Sequence, residues 1–201
     1  MNQNQEWRNV LNQDPVLVQI MAVCPEIIPA PRTDIYLSLI SSIISQQLST
    51  KVAAVIKNRF LNLFPNQYPD PEILKITPDE TLRGVGLSYQ KLNYIRNVAA
   101  FKDTGQLEHE YINSLDDEAL IAHLTQIKGV GRWTVEMILM FALDRPDVLP
   151  VLDLGIQNAI KKAYNLDLTG KVLQAKIREI AENWRPYRTI ACKYLWKSLD
   201  I

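Results

Sequence analysis

The chain has 201 residues, with 22 basic and 22 acidic side chains and a formal net charge of zero. That length suits one large domain or two small lobes with a substantial core, and the charge balance excludes a protein that coats nucleic acid by bulk attraction. Any contact with DNA must come from a local basic face and backbone amides. Apolar residues make up 47% and charged ones 22%, as in an ordinary soluble globular protein. Cys24 and Cys192 stand far apart, in no paired spacing. This argues against a zinc site, an iron–sulfur cluster or a disulfide framework, and fits a reducing compartment. No apolar run of about 18 residues is present to span a membrane. The polar start, Met1-Asn2-Gln3-Asn4-Gln5-Glu6, does not read as a signal peptide.

Residues 6–23 carry Trp7, Val10, Leu11, Val16, Leu17, Ile20 and Met21 at helical spacing, and Pro15 after Asp14 starts the second of two short helices. Pro25, Pro29 and Pro31 impose an extended connector. In residues 34–64, Ile35, Leu39, Ile43 and Ile44 form one apolar stripe, and Val52, Val55, Ile56, Phe60 and Leu63 a second. The polar joint Ser45-Gln46-Gln47-Leu48-Ser49-Thr50 separates two helices, with Ser49 capping the second. Asp70-Pro71 and Thr77-Pro78-Asp79-Glu80 are two further helix starts, the latter read as a capping box. Gly84-Val85-Gly86 then turns the chain into a helix through Lys91, Leu92, Ile95, Val98 and Ala99. Ser114-Leu115-Asp116-Asp117 caps the next helix.

That helix runs into Leu124-Thr125-Gln126-Ile127-Lys128-Gly129-Val130-Gly131-Arg132-Trp133-Thr134, the stretch that organises the chain. It reads as helix, glycine turn, helix. Gly129 and Gly131 are expected to supply positive φ and close backbone approach. The second helix opens with amides that can receive an anion, and Lys128 and Arg132 flank the turn. Gly-x-Gly alone fits an ordinary corner equally well, and Gly84-Val85-Gly86 is a weak echo of it. Helices follow over residues 133–143, 154–164, 172–184 and 187–199, with Pro186 breaking the last two. Alternating β-branched runs are lacking, so the fold class is all-α.

The chemistry must come from carboxylates, because no P-loop, dinucleotide fingerprint or nucleophile elbow is present. His109 and His123 have no partner at metal or triad spacing and read as solvated. Asp144 and Asp147 fall in a polar loop. Asp153, bracketed by Leu149, Val151, Leu152, Leu154 and Ile156, sits where a helix begins. It reads either as a plain N-cap or as a fixed anion beside an apolar pocket, able to stabilise a developing cation. The two readings are compatible. Trp133, Trp184 and Trp196 are core residues by default. An indole face can also hold a flat cationic ring, an attraction of about 1–2 kcal/mol when desolvated.

Taken together, these stretches resemble the helix-hairpin-helix (HhH-GPD) superfamily of DNA glycosylases, in the 3-methyladenine DNA glycosylase II (AlkA-like) branch. Leu124–Thr134 is similar to its hairpin, Pro150–Gly155 to its Gly/Pro–aspartate loop, and Leu39–Ala54, with Ser45-Gln46-Gln47-Leu48-Ser49, to the segment whose loop enters DNA at the lesion. Residues 86–91 and 181–188 resemble further stretches of the branch, so the likeness covers most of residues 35–199. It implies an all-α, two-lobed fold with a cleft between lobes and no N-terminal β domain. One lobe would span residues 35–145, and the other residues 1–34 with 146–201.

The implied activity is base excision repair: monofunctional hydrolysis of the N-glycosidic bond of alkylated purines in duplex DNA, by base flipping, leaving an abasic site. Asp153 matches the catalytic aspartate. Trp133, Trp196 and Met137 fall at base-pocket positions, and Trp133 stands where lyase-competent relatives have a lysine. Gln47, or Leu48 if the match slips by one, falls at the wedge that fills the vacated stack. Lys128, Gly129, Val130, Gly131, Arg132 and Thr134 match the DNA-binding hairpin. The carbonyls of Thr125, Ile127 and Val130 match ligands for a structural Na+ or K+; no other cofactor and no iron–sulfur cluster is implied. The expected partner is double-stranded DNA with alkylated bases, bound by a cytoplasmic monomer. The alternatives are a non-catalytic DNA-binding hairpin protein, a same-fold glycosylase for other damaged bases, and a helical adaptor.

Overall fold

The computed structural model describes residues 3–27 and 33–201, with side chains from residue 6 onward. Pro29 and Pro31 of the expected connector lie outside the described residues. Every regular element among the described residues is helical, and the chain divides into two compact units, Met1–Pro31 with Leu139–Ile201, and Arg32–Ile138.

The first unit contains α1 (Gln3–Leu11), α2 (Pro15–Val23), α11 (Leu154–Ala163), α12 (Gly170–Glu182) and α13 (Arg188–Lys197). Its core is Leu11, Leu17, Ile156, Ile160, Ile177, Trp184 and Leu195, all buried. Asp14 starts α2 as expected, its Oδ1 accepting from Val16 N at 2.9 Å and Leu17 N at 3.3 Å. It also ties α2 to the rest of the unit. Its Oδ2 accepts from Tyr164 OH at 2.6 Å and from the buried Trp184 Nε1 at 2.9 Å. Burial, then the Asp14 carboxylate, pushes the Tyr164 phenol well above its usual range.

The second unit holds α3 (Ile35–Ser45), α4 (Thr50–Leu61), α5 (Pro71–Ile76), α6 (Asp79–Gly84), α7 (Tyr89–Asp103), α8 (His109–Ser114), α9 (Asp117–Leu124) and α10 (Arg132–Met137). α10 runs on into a π-helical turn, Ile138–Ala142. The long α7 is the spine of this unit, packed against α3, α5 and α6. Leu92, Ile95 and Val98 of α7 are fully buried, as are Leu39, Ile43 and Ile44 of α3.

Several local expectations change. The inward row of α4 is Ala53 and Phe60, while Val52, Val55 and Leu63 of the expected stripe are exposed. The capping box at Thr77 does not form: Thr77 ends α5, its hydroxyl donating to Ile73 O at 2.7 Å, and Pro78 takes the N-cap of α6. His123 is buried rather than solvated, with Nε2 2.9 Å from Gln106 O and its ring against Phe101 and Tyr111. Asp147 is not a plain solvated acid, since its carboxylate pairs with Arg188 Nε and Arg185 Nη1, each at 2.6 Å.

Candidate active site and nucleic-acid interface

Asp153 is the N-cap of α11. Its own N–H closes a turn on Pro150 O at 2.9 Å, and Gln157 Nε2 reaches back to Val151 O at 2.9 Å, so the loop before the helix is tied at two points. The carboxylate Oδ1 accepts from Ile156 N at 2.8 Å and from the indole Nε1 of Trp196 at 2.8 Å. The plain capping role and the role of a fixed anion therefore coincide in one side chain. Trp196 reaches it because residue 155 is glycine. A Cβ there would lie 2.8 Å from Trp196 Nε1 and 3.0 Å from Asp153 Oδ1.

Phe141, within the helix expected over residues 133–143, extends this cluster, and no local pattern in the sequence marks it. It is 47% exposed. Its ring stacks on Trp196 with centroids 5.7 Å apart and planes 27° apart. Lys193 Nζ lies 5.4 Å from the Phe141 centroid and 3.4 Å from Asp144 Oδ1. The first unit thus presents a carboxylate, an indole clamped to it and an aromatic face beside the indole. Of the other pocket candidates, Trp133 (45% exposed) and Met137 (part-buried) are carried by α10, in the second unit.

The hairpin joins α9 to α10. Gly129 takes φ +106, which admits glycine readily, and a Cβ there would strike the ring of Tyr94, 2.2 Å from Cγ. Gly131 does not share that conformation; it is extended, at φ −98, and is the N-cap of α10. The expectation of positive φ at both glycines is corrected accordingly. The corner before α7 shows what Gly131 does instead. Gly86 also has positive φ, Leu87 is buried like Val130, and Ser88 takes the N-cap position. Ser88 Oγ accepts the Lys91 amide at 3.2 Å. Gly131 has no side chain to do this, and nothing lies within 4 Å of where its Cβ would be. The true echo is thus Gly86–Ser88 with Gly129–Gly131. Of the two corners, only the second opens its helix without a side-chain cap.

Lys128 is exposed, but Arg132 is not a bare cation. Its Nη2 and Nη1 donate to both oxygens of Glu118, at 2.5 and 3.0 Å, and its Nε to the buried Glu136 at 3.0 Å. These acceptors push the Arg132 guanidinium up, and the same bond holds Glu118 below the usual carboxylate range. Thr134 and Val130 are buried, so they offer the surface their backbone and not their side chains. At the joint between α3 and α4, Gln47 is exposed with φ 57 and Leu48 is half-buried. Among the described residues no group of three or more His, Cys, Asp or Glu side chains could hold a metal ion. The candidate cation ligands are carbonyls where α9 ends, and Ile127 O also accepts the Val130 amide at 2.9 Å.

An all-helical fold, a glycine hairpin and a capping aspartate in the loop beyond it define a class. Residues 40–186 match the family of HhH-GPD superfamily base excision DNA repair proteins, and the chain belongs to that family. It is 40% identical over 166 residues to DNA-3-methyladenine glycosylase 1 of Schizosaccharomyces pombe, covering 81% of this chain and 72% of that protein. The fold superposes on the S. pombe 3-methyladenine DNA glycosylase in complex with abasic DNA with a TM-score of 0.84, at 33% identity and over 98% and 97% of the two chains. It superposes on a DNA-3-methyladenine glycosidase of Bacillus halodurans with a TM-score of 0.82, at 38% identity and over 95% and 87%.

Proposed function

We propose that this protein is a monofunctional DNA glycosylase that releases alkylated purines of the 3-methyladenine and 7-methylguanine type from duplex DNA and leaves an abasic site. The observation that carries the reading is the Asp153 carboxylate, clamped between the first turn of α11 and the Trp196 indole, in a chain whose relatives are named DNA-3-methyladenine glycosylases. Alkylation makes the base cationic and a good leaving group, so no strong general acid is needed. As the glycosidic bond breaks, positive charge develops on the sugar. A fixed carboxylate stabilises that charge without reorganising. Trp196 and Phe141 offer aromatic faces to the electron-poor ring. Trp133 has no amine to form an imine with the sugar, so the backbone is not cut.

In this reading the uncapped amides at Gly131, with Lys128, hold a DNA phosphate. Gln47 fills the gap left by the everted nucleotide, with Leu48 beside it. The carbonyls of Thr125, Ile127 and Val130 form an all-oxygen donor set at the negative end of a helix, which suits Na+ or K+. The protein acts as a monomer.

Incubation with methylated duplex DNA, followed by chromatography of free bases and alkaline cleavage of the product, tests the proposal. Release of methylated purines together with alkali-labile, otherwise uncut strands is the expected result. Duplex binding with no released base would leave a non-catalytic DNA-binding protein. Release of oxidised or mismatched bases alone would leave a same-fold enzyme of another specificity.

A further inference from the structure

Three side chains spaced three residues apart on α7 hold two loops from distant parts of the second unit. Lys91 Nζ donates to Ile44 O and Gln46 O, each at 2.8 Å. Tyr94 lays its ring against Gly129. Asn97 Nδ2 donates to Lys128 O at 3.1 Å. A further bond closes the circuit between the loops themselves, Gln46 Nε2 donating to Gly129 O at 3.1 Å. The joint at residues 46–48 and the hairpin at residues 128–131 therefore share one support.

An ordinary solvated corner needs no such anchor. Lys91 is drawn partly out of water, and burial pushes its pKa down. Gln47 occupies the left-handed region at φ 57, a conformation a non-glycine residue keeps only where its surroundings fix it. Lys91 does the fixing. It grips the Gln46 carbonyl, which leads into Gln47, and the Ile44 carbonyl at the end of α3, where helix carbonyls lack intrahelical partners. The outcome is an exposed amide side chain on a strained, rigidly braced tip.

We propose that Lys91, assisted by Gln46 and Asn97, is a positioning residue that couples the Gln47 tip to the hairpin, so that the duplex backbone gripped at Gly129–Gly131 sets how Gln47 enters a gap in the base stack. The inference rests on the glycosylase reading above. The hairpin engages any duplex, whereas Gln47 engages only DNA with a vacancy in its stack. Coupling is therefore read as the preference for abasic over intact duplex, and as kcat rather than KM.

The test compares the parent protein with Lys91→Met, Lys91→Arg and Asn97→Ala on intact and abasic duplexes, with circular dichroism as the check on folding. Lys91→Met is expected to lower both the abasic preference and kcat about tenfold or more, the size of one lost charged hydrogen bond, while intact-duplex affinity stays at the parent value. Lys91→Arg, which keeps donors for both carbonyls, restores the preference. Adding Gln47→Ala to Lys91→Met costs little more, because the two act through one tip. A folded Lys91→Met protein with the parent's preference overturns the proposal, as does an equal loss on intact and abasic DNA. If Lys91→Met does not fold, Asn97→Ala carries the same expectation, and the parent's preference in it is equally fatal. A parent protein that prefers abasic duplex but releases no methylated base would sink the glycosylase reading alone, since the preference is measured without chemistry.

Discussion

The indole Nε1 of Trp196 and the carboxylate Oδ1 of Asp153 meet at 2.8 Å over Gly155, in the space a Cβ at residue 155 would fill. Trp196 is thus both an aromatic face and a clamp on the acid, and the two roles can be separated. Trp196→Phe keeps a six-membered ring to stack on Phe141 and removes the N–H together with the pyrrole part of the indole. A hydrogen bond to a charged acceptor contributes about 1.5–3 kcal/mol. With the carboxylate free to turn, kcat on methylated DNA should fall about tenfold or more, with KM little changed. Gly155→Ala should do similar damage by pushing the indole away. Single-turnover excision kinetics check both.

Asp153→Asn keeps an oxygen to cap α11 and to accept from Trp196, so the fold should hold. It removes the charge that would face the sugar cation. The expected outcome is loss of excision by about a hundred- to a thousandfold, as when a preorganised stabilising group is deleted, with abasic-duplex affinity retained. Equal release of free bases by mutant and parent would refute the assignment.

How far the sequence carried the structure depended on the range of the signal. Local signals read correctly: Asp14 before Pro15, Ser49 before Thr50 and the hairpin glycine each act within one turn of chain. The stripe Val52, Val55, Ile56, Phe60 and Leu63 was right at Phe60 and misled at Val52, Val55 and Leu63, because periodicity says that a face exists and not how far it is covered; Ala53 joined Phe60 inside. Thr77 misled because two adjacent helix ends compete for one hydroxyl, and α5 won it. The capping role of Asp153 was legible, but its bond to Trp196, 43 residues on, was not. Phe141 looked like any helix apolar residue; only its stacking on Trp196 sets it apart. That the Arg132 charge is paired was not legible, because Glu118 lies fourteen residues away, beyond any local pattern.

Asp14 allows a stability prediction separate from chemistry. Its carboxylate accepts from Val16 N, Leu17 N, Tyr164 OH and Trp184 Nε1. Asp14→Ala removes an N-cap, about 1 kcal/mol, and takes the acceptor from the buried Trp184 indole and the half-buried Tyr164 hydroxyl, at about 1–3 kcal/mol each. Urea unfolding should show a loss of about 3–7 kcal/mol. Below the lowered midpoint, excision should run near the parent rate, because the Asp14 carboxylate serves the start of α2, Tyr164 and Trp184.

Glu118 competes with DNA for Arg132. The guanidinium already donates to both Glu118 oxygens, so a phosphate must displace a carboxylate. Glu118→Gln removes that competitor, and intact-duplex affinity should rise severalfold, with a salt dependence steeper by about one phosphate contact. The same bond sets an acid-side effect on stability. Arg132 lowers the Glu118 pKa in the fold, so the native state binds that proton less readily than the unfolded chain does. The stabilisation is therefore present above the unfolded glutamate value and is lost as pH falls through the folded one. Because the Glu118 side chain is 73% exposed, solvent screens the pair and the loss is small. Denaturation midpoints taken across the carboxylate range should show the parent losing more stability on acidification than Glu118→Gln does. An unchanged duplex affinity in Glu118→Gln would mean that Arg132 stays on Glu136 and contributes nothing to holding DNA.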